Sequence, residues 1–152
     1  MSTFATSYAK TLNILINQLD GVQENESENV QVFMDSFMDY MFDSGMIVSS
    51  ERVSLATDLS NDEKNALKSS KEGYFDYLAI IKVKVDSQSD EVLNASWQLK
   101  DVNSDLKMVS GYLVPENKKN GFEKNAIDFG KDVAKDIFQS LYKDKKFAKA
   151  AF

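Results

Sequence analysis

The chain has 152 residues, enough for one domain that buries a sizeable core without staples, since domains usually run about 100–200 residues. Hydrophobic residues make up 43% and charged residues 28%, with six glycines and one proline, a composition that excludes disorder over most of the length. The formal charge of −6 argues against nucleic-acid binding, and the absence of histidine and cysteine removes most zinc sites, thiol nucleophiles and serine–histidine triads.

Residues 1–10 mix small and polar side chains and read as a flexible lead-in. From Thr11 to Leu19, Leu12, Ile14 and Ile16 alternate against Asn13, Leu15 and Asn17, which predicts a strand covered on one face and partly on the other. A helix starting near Phe4 is the competing reading. Asp20-Gly21 ends the element, and the polar stretch from Gln23 to Asn29 reads as a loop. Val30, Phe33, Met34, Phe37, Met38 and Met41 then fall on one stripe at helical spacing. Ser27 is its expected N-cap, Glu28 favours its first turn, and Gly45 sits where a glycine ends a helix. Asp35, Asp39 and Asp43 run along the opposite face, where a spaced acidic row is read as solvated rather than metal-binding.

Met46-Ile47-Val48 is expected to be a short buried strand. Ser60 and Glu63 have capping-box spacing and open a second helix that ends near Gly73. Phe75 to Asp86 predicts a central strand, with Tyr77, Ala79, Ile81, Val83 and Val85 on one face. Leu78 and Ile80 start the other face, which turns polar at Lys82 and Lys84. After a polar turn at Ser87–Asp90, Glu91 to Asp101 alternates: Leu93, Ala95, Trp97 and Leu99 inward, Asn94, Ser96, Gln98 and Lys100 toward water. Asp101 to Asp105 is rich in turn formers, and Leu106 to Val114 returns as a strand. Beyond a polar loop from Pro115 to Gly121, Phe122, Ala126, Phe129, Val133, Ile137 and Leu141 mark a long amphipathic helix, followed by a basic tail over 143–152. The order β-α-β-α-β-β-β-α predicts an α+β domain over 11–142: a mixed sheet of about five strands with an antiparallel C-terminal meander, packed by three helices.

Chemistry-bearing motifs are sparse. There is no glycine-rich phosphate loop and no nucleophile elbow, and Gly121 and Gly130 stand isolated. Asp101, Asn103 and Asp105 alternate like the start of a calcium loop but lack its downstream glycine and glutamate, so a hairpin turn is expected. No catalytic residue, metal or cofactor is expected. The tail lysines Lys143, Lys145, Lys146 and Lys149, with Tyr142 and Phe147, suit either an anionic surface or plain solvation. Asn25-Glu26-Ser27 and Asn94-Ala95-Ser96 match the glycosylation sequon, a pattern that arises often by chance. No run approaches the roughly 18 apolar residues of a membrane span, and no signal peptide shows at Met1-Ser2-Thr3-Phe4. That leaves a cytoplasmic protein or a mature exported domain.

Several segments resemble one family. Ile14-Leu15-Ile16-Asn17-Gln18-Leu19, the Phe33 to Gly45 helix with Met46-Ile47-Val48, Gly73-Tyr74-Phe75-Asp76-Tyr77-Leu78-Ala79, Gln98 to Asn103 and the helix from Phe122 to Leu141 are similar in order and spacing to bacterial envelope lipoprotein domains. Those domains include the penicillin-binding-protein activator LpoB, the curli secretion lipoprotein CsgG and flagellar outer-membrane lipoproteins. The chain departs from the pattern at Leu19-Asp20-Gly21 and at Ser104-Asp105, and shows no lipid-bearing cysteine. The resemblance implies a non-catalytic domain that docks on a periplasmic enzyme or joins an envelope assembly, anchored to the outer membrane if a lipidated cysteine precedes residue 1. It does not imply a pore, because the strand connections are too short for membrane-spanning hairpins. The candidate protein-binding residues are Asn94, Ser96, Gln98 and Lys100, on the polar side of the fourth strand. The alternative is a cytoplasmic ligand-binding or regulatory domain of the same architecture.

Overall fold

The computed structural model describes residues 10–20, 25–104, 107–116 and 121–143. Five strands, β1 (Thr11–Leu19), β2 (Ile47–Ser50), β3 (Tyr77–Val85), β4 (Val92–Asp101) and β5 (Lys107–Leu113), form one sheet in the order β2-β1-β3-β4-β5. β1 runs parallel to both β2 and β3, and β3, β4 and β5 form an antiparallel meander. The helices are α1 (Glu28–Asp43), α2 (Leu59–Glu72) and α3 (Phe122–Tyr142), so the element order and the mixed sheet are those the sequence predicts.

The period-two pattern sorts the strands' side chains into two layers. Leu12, Ile14 and Ile16 of β1, Tyr77, Ala79, Ile81, Val83 and Val85 of β3, and Ala95, Trp97 and Leu99 of β4 join the apolar stripes of α1 and α3 in the main core. Burying a side chain such as Phe33, Phe37 or Phe129 contributes roughly 1.5–3 kcal/mol each. On the opposite face Leu15, Leu78, Ile80 and Val102 meet Ala66 of α2 in a smaller cluster. β1 is therefore buried on both faces from Leu12 to Gln18, more fully than its mixed polarity suggests. Its polar side is absorbed by hydrogen bonds: Asn13 Nδ2 donates to Ser70 Oγ and to Glu51 Oε2, and Gln18 Oε1 accepts from the Ser27 N–H. Asn17, fully buried, has no partner for either side-chain atom among the described residues.

Local chemistry explains the helix ends. Ser27 Oγ accepts from the N–H groups of Asn29 and Val30, and Gly45 follows α1 at φ 93°, a left-handed conformation that glycine takes without strain. α2 begins two residues earlier than the capping box implies. Asp58 caps it by accepting from the Asn61 N–H, and Ser60 already lies inside the helix, because a carboxylate two residues upstream serves the same free donors.

Four other expectations need correction. β2 is an edge strand and not a buried one: only Met46, just before it, is buried, while Ile47 is 54% exposed. β3 begins at Tyr77, after Asp76 has accepted hydrogen bonds from both the N–H and the hydroxyl of Thr11. The β3–β4 register shifts between Lys84 and Val85, so Val92 enters the core in place of Leu93. Phe122, at the first turn of α3, is 44% exposed. Of the basic tail, residues beyond Lys143 lie outside the described residues, as do residues 1–9 of the lead-in.

Candidate functional site

The two faces of the sheet are covered unequally. α1 and α3 close one face, whereas on the other α2 packs on β1 and β3 only. Among the described residues, no helix lies over β4 and β5 on that side. Cross-strand register arranges the side chains of this face in rows: Lys84 opposite Asn94, then Lys82 with Ser96 and Tyr112, then Ile80 with Gln98 and Ser110, then Leu78 opposite Lys100, with Leu78 and Ile80 buried beside α2. The structure thus brings the four predicted residues, Asn94, Ser96, Gln98 and Lys100, onto one surface, but as half-buried rather than fully wet side chains. A shallow cleft of about 210 Å³ runs between them, with Ile80, Lys82, Ser96, Gln98 and Ser110 on its floor.

Among the described side chains, β3 and β4 supply Lys82, Lys84 and Lys100 to this surface, and no carboxylate. Among the described residues, acids reach it at the rim: Glu63 of α2 lies 3.9 Å from Lys82, and Asp20 lies 3.8 Å from Lys84. Both pairs are partly solvated and each is worth under about 1 kcal/mol. Tyr112, 63% exposed on β5, adds a large aromatic to the surface. Sequence reading noted Lys82 and Lys84 as polar positions but did not join them to β4. It missed Tyr112 and Glu63, because their placement depends on strand pairing and on which strands α2 covers.

The surface rests on a fixed support. Trp97 projects to the opposite face, where its Nε1 donates to Asp136 Oδ2 of α3 at 3.0 Å, and it is 4% exposed. Gly111 stands opposite Trp97 on β5, and a Cβ there would come within 2.6 Å of the indole ring. β4 and β5 are thus clamped to α3 from behind.

A second cleft, of about 470 Å³, lies where α2 turns into β3, between Lys71, Tyr74, Phe75, Asp76, Val102 and Asn103. Tyr74 is 91% exposed and holds φ at 59°, a left-handed conformation uncommon for an aromatic residue. Gly73 precedes it at an ordinary φ of −86°, so the chain places glycine one position before the residue that needs its freedom. Replacing Tyr74 with glycine is expected to stabilise the fold by up to about 1 kcal/mol, since the side chain is almost wholly exposed and the left-handed strain is relieved. Chemical denaturation of Tyr74→Gly checks this, and a loss of stability would mean that the ring packs on its neighbours.

Ionisable groups add little chemistry. Asp86 lies below the usual carboxylate range because its side chain accepts from the backbone N–H groups of Gln88 and Ser89, a turn-capping role. Asp132 is raised by partial burial, then by the nearby charges of Glu116 and Asp128. Asp101 Oδ1 accepts from the N–H groups of Asn103 and Ser104, so Asp101 caps the turn that follows β4, while Asp105 lies outside the described residues. Asp35, Asp39 and Asp43 are exposed along α1, and among the described residues no three of His, Cys, Asp and Glu gather as metal ligands. No described helix is long and apolar enough to cross a membrane.

No curated protein sequence matches the chain. Among solved structures, the PelC dodecamer from Paraburkholderia phytofirmans is similar over 83% of this chain and 87% of its own, with a TM-score of 0.51 and 12% identity. Protein XCC0632 from Xanthomonas campestris, of the family DUF330, is similar over 95% of this chain and 93% of its own, with a TM-score of 0.51 and 11% identity. At such identities the likeness establishes a shared fold. A family profile described as "Uncharacterised protein" matches residues 11–142, the span from the first residue of β1 to the last of α3, and the chain belongs to that family.

Proposed function

We propose that the chain is a non-catalytic accessory domain of the bacterial cell envelope that works by docking a protein partner on the part of the β3–β5 face that α2 leaves uncovered. One observation carries this reading: a three-layer fold whose second helix layer stops at β3 leaves two strands with a polar, half-buried and acid-free surface. A solvent-facing strand surface in a chain with an excess of acids would ordinarily carry some of them. Asn94, Ser96, Gln98 and Lys100 are the contact residues in this reading, joined by Lys82, Ser110 and Tyr112. The cleft among them is smaller than the roughly 300–1,000 Å³ of small-molecule pockets, which favours a macromolecular partner on this surface.

The envelope setting is supported by the resemblance of several segments to LpoB, CsgG and the flagellar lipoproteins. The partner is then a peptidoglycan synthase or an envelope assembly, and the setting is the periplasm. Outer-membrane anchoring requires a lipidated cysteine upstream of residue 1, which the reading frame of the gene would reveal. Binding would act by shifting the partner's conformational population. The test is capture from a bacterial envelope extract by the wild-type chain and by a Ser96→Arg, Gln98→Glu double variant. Loss of a specific captured protein is expected; unchanged capture of every partner would discard this surface.

A further inference from the structure

The uncovered sheet surface and the outer face of α1 are complementary in charge. The exposed strand rows carry Lys82, Lys84 and Lys100 without a carboxylate. α1 carries Glu28, Asp35, Asp39 and Asp43 and no base over its 16 residues, and all four acids are exposed. Two like-charged surfaces of opposite sign thus sit on opposite sides of one molecule, because α1 packs on one face of the sheet and the lysines leave from the other. Spacing also agrees. Carboxylates four residues apart on a helix repeat every 6 Å or so, about one helical pitch. Lysines two apart on a strand repeat about every 7 Å. The width available is that of a helix, because the missing part of the layer lies beside α2.

We propose that the occupant of the β3–β5 surface is a second copy of this chain, which lays the acidic face of its α1 across Lys82, Lys84 and Lys100. This rests on the reading of that surface as a docking site and names its partner. The rim pairs with Glu63 and Asp20 do not oppose it. At 3.9 and 3.8 Å they are loose, and an ammonium has three protons to share among acceptors. The contact joins two different surfaces, so it is head-to-tail, and its repetition builds a ring or an open chain of copies. Because it rests on exposed charges, it weakens as salt rises.

Analytical ultracentrifugation of the full chain at about 50 mM and about 500 mM sodium chloride tests the proposal. Concentration-dependent association is expected at low salt, weakened at least about tenfold at high salt. A Lys82→Glu, Lys100→Glu variant and an Asp35→Lys, Asp39→Lys variant should each be monomeric, since each sets like charges against one another. An equimolar mixture of the two should associate again, because each variant then presents the surface that complements the other. Circular dichroism of each variant separates lost association from lost folding, and the mixture keeps the test decisive. A wild-type chain that stays monomeric at low salt, or a mixture that stays monomeric, overturns the proposal. Should the wild type be monomeric while the Ser96→Arg, Gln98→Glu variant still loses capture of an envelope protein, the docking surface stands and self-recognition falls. A monomer with unchanged capture removes both.

Discussion

Gly130→Ala should destabilise the fold by about 3 kcal/mol or more, with the sign opposite to helix propensity. Gly130 lies well inside α3, where alanine is favoured over glycine by roughly 1 kcal/mol on propensity alone. The packing reverses this. A Cβ on Gly130 would overlap both the Oγ of Ser36 and the backbone carbonyl of Phe33, at the point where α1 and α3 meet. The hydroxyl of Ser36 already has a fixed place, set against the carbonyls of Phe33 at 3.0 Å and Ile127 at 2.8 Å. The first obstacle is a small side chain that could be removed, but the second is helix backbone, which moves only if α1 moves. Phe33 and Phe129, with ring centroids 5.7 Å apart, would have to part as well. The two helices close one whole face of the sheet, so a shift there opens the main core. Urea unfolding of Gly130→Ala measures the loss. Adding Ser36→Gly should restore only part of it, because the Phe33 carbonyl remains. A variant as stable as the wild type would show that α1 and α3 separate without loss, and that this crossing is not what fixes the helix layer.

Such a glycine is hard to find in a sequence. In the pattern of α3, Gly130 is an isolated helical glycine, and only the partner helix supplies the reason for it. The same distinction between local and non-local signals runs through the whole chain. β1, β3 and β4 were legible because alternation is written within each strand, and α1 and α3 because their apolar stripes repeat every three to four residues. β2 was misjudged as buried because three apolar residues in a row say nothing about which side of the sheet they reach. The α2 cap moved from Ser60 to Asp58 because both lie in a polar run able to serve the first turn. Leu93 lost its inward place to Val92 through a register shift that only pairing with β3 creates. For the candidate surface, the outward set Asn94, Ser96, Gln98 and Lys100 was legible from β4 itself. Its extension to Lys82, Ser110 and Tyr112 required the meander's register. Its openness required knowing that α2, with Ala66 and Ser70 as its only buried residues, sits over β1 and β3.

Removing the Trp97 side chain should produce a loss of comparable size, about 3–5 kcal/mol for Trp97→Ala, and should change what Gly111 tolerates. Trp97 is the largest side chain that β4 sends into the core, and its indole N–H is tied to Asp136, so truncation leaves a cavity and a carboxylate without its donor. Gly111 faces it across β5 with no room for a side chain, the indole filling the place a Cβ would take at 2.6 Å. Glycine is otherwise a poor strand residue, losing backbone entropy and offering nothing to pack. Gly111→Ala is therefore expected to cost about 1–3 kcal/mol in the wild type, where the ring must leave its position. In the Trp97→Ala background the same substitution should be neutral or stabilising, since the obstacle is gone and strand propensity favours alanine over glycine. A double-mutant cycle by urea unfolding should give a coupling energy of about 2 kcal/mol between the two positions. Additive losses would mean that the ring does not depend on the glycine. Because β4 and β5 carry the candidate docking surface on their other side, Gly111→Ala should also disturb the alignment of Ser96, Gln98 and Ser110. Reduced partner capture by a still-folded Gly111→Ala chain would then tie the surface to the tryptophan that holds its strands from behind.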